Sequence, residues 1–137
     1  MSYGVSAALQ AAVYQQLSAN SDVVTLSGGA IYDAVPAGAV PQTYVTLGPE
    51  DVREASDRSG AGAVHRFTVS VVSEVAGFGA AKTLAGAVCD ALENAPLTLD
   101  RGRLVGLWFE RASAKRTGTG GAVRQIDLRF RARVEDN

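Results

Sequence analysis

Residues able to move protons or hold a metal are few: the 137-residue chain has one His, His65, and one Cys, Cys89. Imidazole titrates near neutral pH and is the natural general acid or base. His65, however, opens an alternating strand, and no local motif sets a Ser or Cys nucleophile beside it. It reads as a structural or surface residue. Cys89 lies among apolar neighbours in a helical stretch, where a free thiol behaves as a small hydrophobe. Glu50, Asp51, Glu54 and Asp57 gather in one polar run. A calcium loop sets its oxygen ligands at fixed positions around a turn glycine, as in DxDxDG, whereas Arg53 and Arg58 interleave here. The TGTGG run at 117–121 resembles a phosphate cradle, but a Walker loop needs GxxxxGK[ST] between a strand and a helix. No Lys-Ser/Thr pair follows, and a strand does, so these glycines suit a hairpin tip. No cofactor, no metal and no enzymatic activity are expected.

The sharpest constellation is Arg129, Arg131 and Arg133. Residues 123–134 alternate, with Ile126, Leu128, Phe130, Ala132 and Val134 on one side and the three arginines with Asp127 on the other. Strand periodicity thus lines three guanidinium groups on one face, near Arg124 at the strand's start. Three uses fit: a solvated face paired with Glu110 or Glu74, a protein interface, or a lining that meets passing nucleic acid. Aromatics interleaved for base stacking are missing, so sequence reading of single strands is not expected.

These residues need elements to hold them. Leu9, Ala12, Val13 and Leu17 recur at helical spacing over 6–18, with Ser6 as N-cap and Asn20-Ser21-Asp22 ending the helix or capping a short turn. An irregular Gly/Pro connector carrying Ile31 and Tyr32 follows. A strand is expected at 43–47, closed by Gly48-Pro49. Residues 50–62 read as a mobile loop or a strand extension. A half-buried strand at 65–73 turns Phe67, Val69 and Val71 inward. A second helix over 77–94 carries Phe78, Ala81, Leu84, Ala85, Val88 and Leu92, and Asn94 with Pro96 ends it. Residues 103–111 are apolar on both sides and should lie centrally in a sheet. Residues 115–121 form a hairpin tip before the arginine strand. The whole is an α+β fold: a mostly antiparallel sheet, two helices packed on one face and long polar loops.

Size and charge agree with one domain over 1–137, with loops near 49–62 and 115–121 flexible. Hydrophobic residues make up 47% and charged residues 20%, an ordinary globular balance. Thirteen Lys and Arg against fourteen Asp and Glu give a net charge of −1, so no overall basic surplus exists for gripping phosphates. One Cys excludes a disulfide framework. Met1-Ser2-Tyr3-Gly4-Val5 has neither the basic nor the apolar region of a secretory signal. The least polar run, 75–92, is broken by Lys82, Thr83 and Asp90, too short for a membrane span of roughly 20 residues. A reducing cytoplasm, or a particle assembled there, is the expected setting.

The ordered set resembles a known family. The opening "LQAAVYQQLSA" leads to "GGAIYDAVPAGAVPQTYVTLG", then "HRFTVSVVSEVAGFGAAKTLAGAVCDAL", then "RQIDLRFRARVED". This is similar to the small tail-terminator or tail-completion proteins of long-tailed phages and of phage-derived gene transfer agents. The likeness spans nearly the whole chain and rests on hydrophobic and turn patterns. It implies a subunit of a homo-hexameric ring that caps the tail tube, stops its growth and joins it to the filled head. The partners implied are the tail tube protein, a head-side connector protein, and DNA passing through the channel without sequence-specific binding; no membrane is involved. The implied location is a virion or phage-like particle assembled in the host cytoplasm. Subunit or channel contacts are expected at Glu50, Asp51, Glu54, Asp57, Arg58, Lys115, Arg116, Arg129, Arg131 and Arg133. Two alternatives stay open: another neck component, such as a head-completion or connector protein, and a small cytoplasmic enzyme using His65.

Overall fold

A computed structural model describes residues 3–58 and 60–136. Met1 and Ser2, part of the N-terminal reading, and Ser59 of the polar run lie outside the described residues, as does Asn137. The elements are α1 (Ser6–Ala19), α2 (Ser21–Ser27), β1 (Ile31–Tyr32), β2 (Thr43–Glu54), β3 (Gly62–Ser73), α3 (Gly79–Leu92), β4 (Arg103–Thr117) and β5 (Val123–Glu135). The five strands form one sheet in the order β1-β2-β3-β5-β4. Only the β1–β2 pair is parallel; the others are antiparallel. The α+β class and the mostly antiparallel sheet are as expected.

Helices cover one face of the sheet. Val45, Val69, Val71, Leu128 and Phe130 from the strands pack with Leu9, Val13 and Leu17 of α1 and Leu84, Val88 and Leu92 of α3. Phe130 is fully buried, its ring 5.6 Å from Phe67 and 5.9 Å from Phe109. A smaller cluster of Val5, Ala63 and Val134 continues the core under the start of α1. Every inward residue expected on β5 is buried, because a period of two leaves no other choice once one face is covered.

Five sequence expectations need correction. Among the described residues there are three α-helices, not two: the Asn20 side chain accepts a hydrogen bond from Val23 N–H at 3.0 Å and starts α2, which Gly28 ends in the left-handed region (φ 64°). Ser6 does not cap α1, where Val5 holds the N-cap position. Gly48-Pro49 does not close β2. It forms a bulge, after which pairing resumes from Glu50↔Phe67 to Glu54↔Ala63. Of the two readings of 50–62, the strand extension holds: β2 runs on to Glu54 and β3 starts at Gly62, and the Asp57–Gly60 bridge draws the short connection together. Likewise, Lys115 and Arg116 belong to β4, leaving only 118–122 as the tip. Finally, β4 is an edge strand and not a central one. Its double-sided apolarity fades after Phe109, and bulges at Val105 and Glu110 interrupt its ladder with β5, a common way of blunting an edge.

Candidate functional site

The sequence-predicted residues fall on the two faces of the sheet and in the β2–β3 turn. Glu50 points toward the helices. Ser6 Oγ donates a hydrogen bond to its Oε1 at 2.7 Å, and its Oε2 stands 3.9 Å from His65 Nδ1. His65 is 0% exposed, and neither ring nitrogen has a hydrogen-bond partner. Burial holds the imidazole below its ordinary range and pushes the Glu50 carboxyl above its own. This group joins α1, β2 and β3, but it lacks the order of a hydrolytic triad: the hydroxyl binds the carboxylate, and the histidine binds neither. The nearby cavity, lined by Leu9, Val13, Leu47, Glu50 and Phe67 among others, holds about 20 Å³, enough for one water and no substrate.

The opposite face of the sheet carries no helix, and the arginine ladder lies there. Alternation brings Arg129 opposite Thr68 and Arg111, Arg131 opposite Arg66 and Trp108, and Arg133 opposite Val64 and Gly106. Like charges facing each other across a ladder repel, and the face answers this locally. Glu110, thrown out by its bulge, bridges Arg66 Nε at 3.1 Å and Arg129 Nε at 3.3 Å. Arg131 stacks on the Trp108 ring at 4.8 Å. Gly106 makes room for that indole, since a Cβ there would collide with it. The Arg133 guanidinium lies over Gly62, where a Cβ would come within 2.8 Å of Nη2. Lys115 pairs with Asp127 at 3.4 Å. Burial pushes the Asp127 carboxyl up, but hydrogen bonds from Gln125 and Ser70 and the Lys115 ammonium outweigh it and hold the group below its ordinary value.

Arg124 does not join this face. It pairs with Ser73, an inward position, so it belongs to the helix side. Arg116 shares that side opposite Arg124, while Arg111 is on the helix-free side. Asp51 and Arg53 form an exposed pair on the helix-free face of β2 at 3.4 Å. The register puts Glu54 on the inward side with Ala63, and Asp57 and Arg58 occupy the exposed β2–β3 turn. Trp108, Gly106 and Ser6 were missed as site residues. Alternation does not find them, because bulges and contacts between elements set their roles. Among the described residues, no group of three or more His, Cys, Asp or Glu side chains could hold a metal, and no helix is long and apolar enough to cross a membrane.

The described surface thus offers a charged helix-free face and a β4 edge that is unpaired over 111–117, while Asn94 N–H and the Glu93 carboxylate take up Leu107 O and Phe109 N–H on that same edge. The family profile described as "Tail completion protein gp17" matches residues 11–135. The chain belongs to that family. Among solved structures, 19 chains match. One of them, from "Virion of native gene transfer agent (GTA) particle", is 60% identical with a TM-score of 0.92, over 98% of this chain and 99% of that one. No curated protein matches. As a tail-completion protein, the chain has a structural role at the tail and neck of a phage-like particle.

Proposed function

We propose that copies of this tail-completion protein close into a homo-hexameric ring that caps the finished tail tube. The ring ends tube polymerisation and offers the surface that joins the filled head, with DNA passing through its centre. The near-complete likeness to a chain of a gene transfer agent virion carries this reading. It works without catalysis: the lone histidine is sealed from solvent, and the cavity beside it is too small for a substrate. A ring subunit needs two complementary flanks and a rotation that closes, and the two ends of the sheet, β1 and the unpaired 111–117 stretch of β4, supply the flanks. Arg131 and Arg133, on the helix-free face, meet a neighbour or the channel.

The test is electron microscopy of particles made with and without this protein. With it, tubes should have one length and end in a ring. Without it, they should overgrow and stay headless. Tubes of normal length that merely fail to hold DNA-filled heads would instead mark a head-side connector, as would capture by portal-side components and not by tubes.

A further inference from the structure

Charge is sorted across the sheet. Residues 3–54, which form α1, α2, β1 and β2, carry five carboxylates and one cation, Arg53. Residues 103–135, which form β4 and β5, carry eight cations and three carboxylates. The net charge of −1 therefore hides an acidic flank and a basic flank at opposite ends of one sheet. Five strands at about 4.8 Å spacing put the two edges about 19 Å apart. The Debye length at physiological salt is about 8 Å, so the flanks cannot neutralise each other within one copy. Much of each flank is already engaged: Glu50 turns in to Ser6, Asp51 pairs with Arg53, Arg103 with Glu135, Lys115 with Asp127 and Arg129 with Glu110. Asp22 and Asp33 on one side and Arg111 and Arg116 on the other are exposed and offered to another molecule.

We infer that the basic edge of one copy docks on the acidic flank of the next, β4 against α1 and β1, and that this contact builds the ring. The inference rests on the ring reading above and names its interface. Registers support it. Tyr32, Thr46, Ser70, Asp127 and Ser113 lie in one row across the sheet. The end of β1, with Asp33 next in sequence, is therefore level with Arg111 and Lys115 on the far edge. Copies related by a rotation about an axis along the strands, without a rise, bring these groups together. Arg111 and Arg116 flank the strand on its two faces and make no ion pair among the described residues. The bulges of β4 stop at Glu110, so 111–117 is regular and its outer backbone groups are unpaired.

The receiving flank has a matching form. An open hollow of about 510 Å³ beside α1 is lined by Tyr3, Gln10, Tyr14, Gln15 and Asp33 among others. Tyr3 is 59% and Tyr14 36% exposed, and α1 has no charged residue on any face. Across the sheet, Phe109 and Val105 on β4 are 41% and 48% exposed. An apolar centre with an oppositely charged rim is the usual composition of an interface between subunits. A like-charged second flank would repel, so a head-to-tail order is favoured over a two-fold one.

Two variants test this, each read by sedimentation and by ring formation on tail tubes. Arg111→Glu with Arg116→Glu makes both flanks acidic. Asp33→Lys with Gln15→Lys weakens the acidic flank and sets two cations at the contact. Neither pair removes an ion pair within the subunit, and circular dichroism checks the fold. Each variant alone should lose rings at physiological salt, and an equal mixture should regain them as alternating copies. Rings formed by each variant alone would overturn the edge assignment and leave the ring itself standing. Variants that form rings but lose retention on a DNA column would turn the basic edge toward the channel, which also overturns it. A wild-type chain that stays monomeric even on tubes would remove the ring reading and this interface together.

Discussion

Burial shifts the protonation of His65 and Glu50 in opposite directions. A buried neutral imidazole has its pKa below the ordinary 6.5. The unfolded chain therefore binds more protons once the pH falls below that value, and stability declines on acidification. Glu50 works oppositely. Its pKa is raised above 4.5, so the folded state takes up a proton first and gains as the pH falls toward that range. The ion pair that a protonated His65 could form with Glu50 offsets part of the imidazole's loss. We expect His65→Leu to flatten the acid side of the stability profile. It also removes two buried nitrogens without partners, each of which costs about 1–3 kcal/mol, so the variant should melt no lower than wild type at neutral pH. Melts at about pH 5.5 and 7.5 check this. A lower melting temperature at both values would mean that the imidazole makes a polar contact the fold needs. Tube capping should survive the substitution, whereas a role for His65 in catalysis would leave assembly intact and abolish an activity.

Among the elements, β5 is the spine. It lies between β3 and β4, and its inward residues meet α3. Phe130→Ala should cost about 3–5 kcal/mol, because the ring contacts Phe67 and Phe109 on both neighbouring strands. Leu92→Ala at the end of α3 should cost about 2–5 kcal/mol. Urea unfolding of both variants measures this, and a loss under about 1 kcal/mol at either would mean that the site collapses around the gap. The alternation of β3 and β5 and the stripe of α3 were legible in the sequence, because a covered face imposes its period directly. The edge position of β4 was not. Its apolar run at 103–109 reads the same whether one neighbour or two flank it, but with one neighbour only Leu107 is buried, and Val105 and Phe109 stay exposed. Gly48-Pro49 misled for a similar reason. Locally it ends a strand, yet β3 is long enough to capture the chain again beyond the bulge.

For the whole molecule, the question is whether the arginines of the helix-free face meet a neighbour, DNA or solvent. Arg131 is the sharpest probe because its charge rests on an indole and not on a carboxylate. Arg131→Glu should preserve the fold, since the residue is exposed, and should reduce the yield of joined particles at least several-fold if this face meets DNA or a neighbour. Counting DNA-filled, tailed particles measures it, and an unchanged yield would make the face simply solvated.

Composition and pattern were enough for the α+β class, an arginine face on the last strand, and a tail-completion resemblance. These follow from local rules, since periodicity, turn chemistry and residue counts need no knowledge of which strands adjoin. The partners of each charge needed the folded chain. Glu50 turns inward to Ser6, Glu110 bridges two arginines from a bulge, and Asp127 meets Lys115 across β4 and β5. Strand order and bulges set these positions, and both depend on contacts between residues far apart in sequence, which no local pattern encodes.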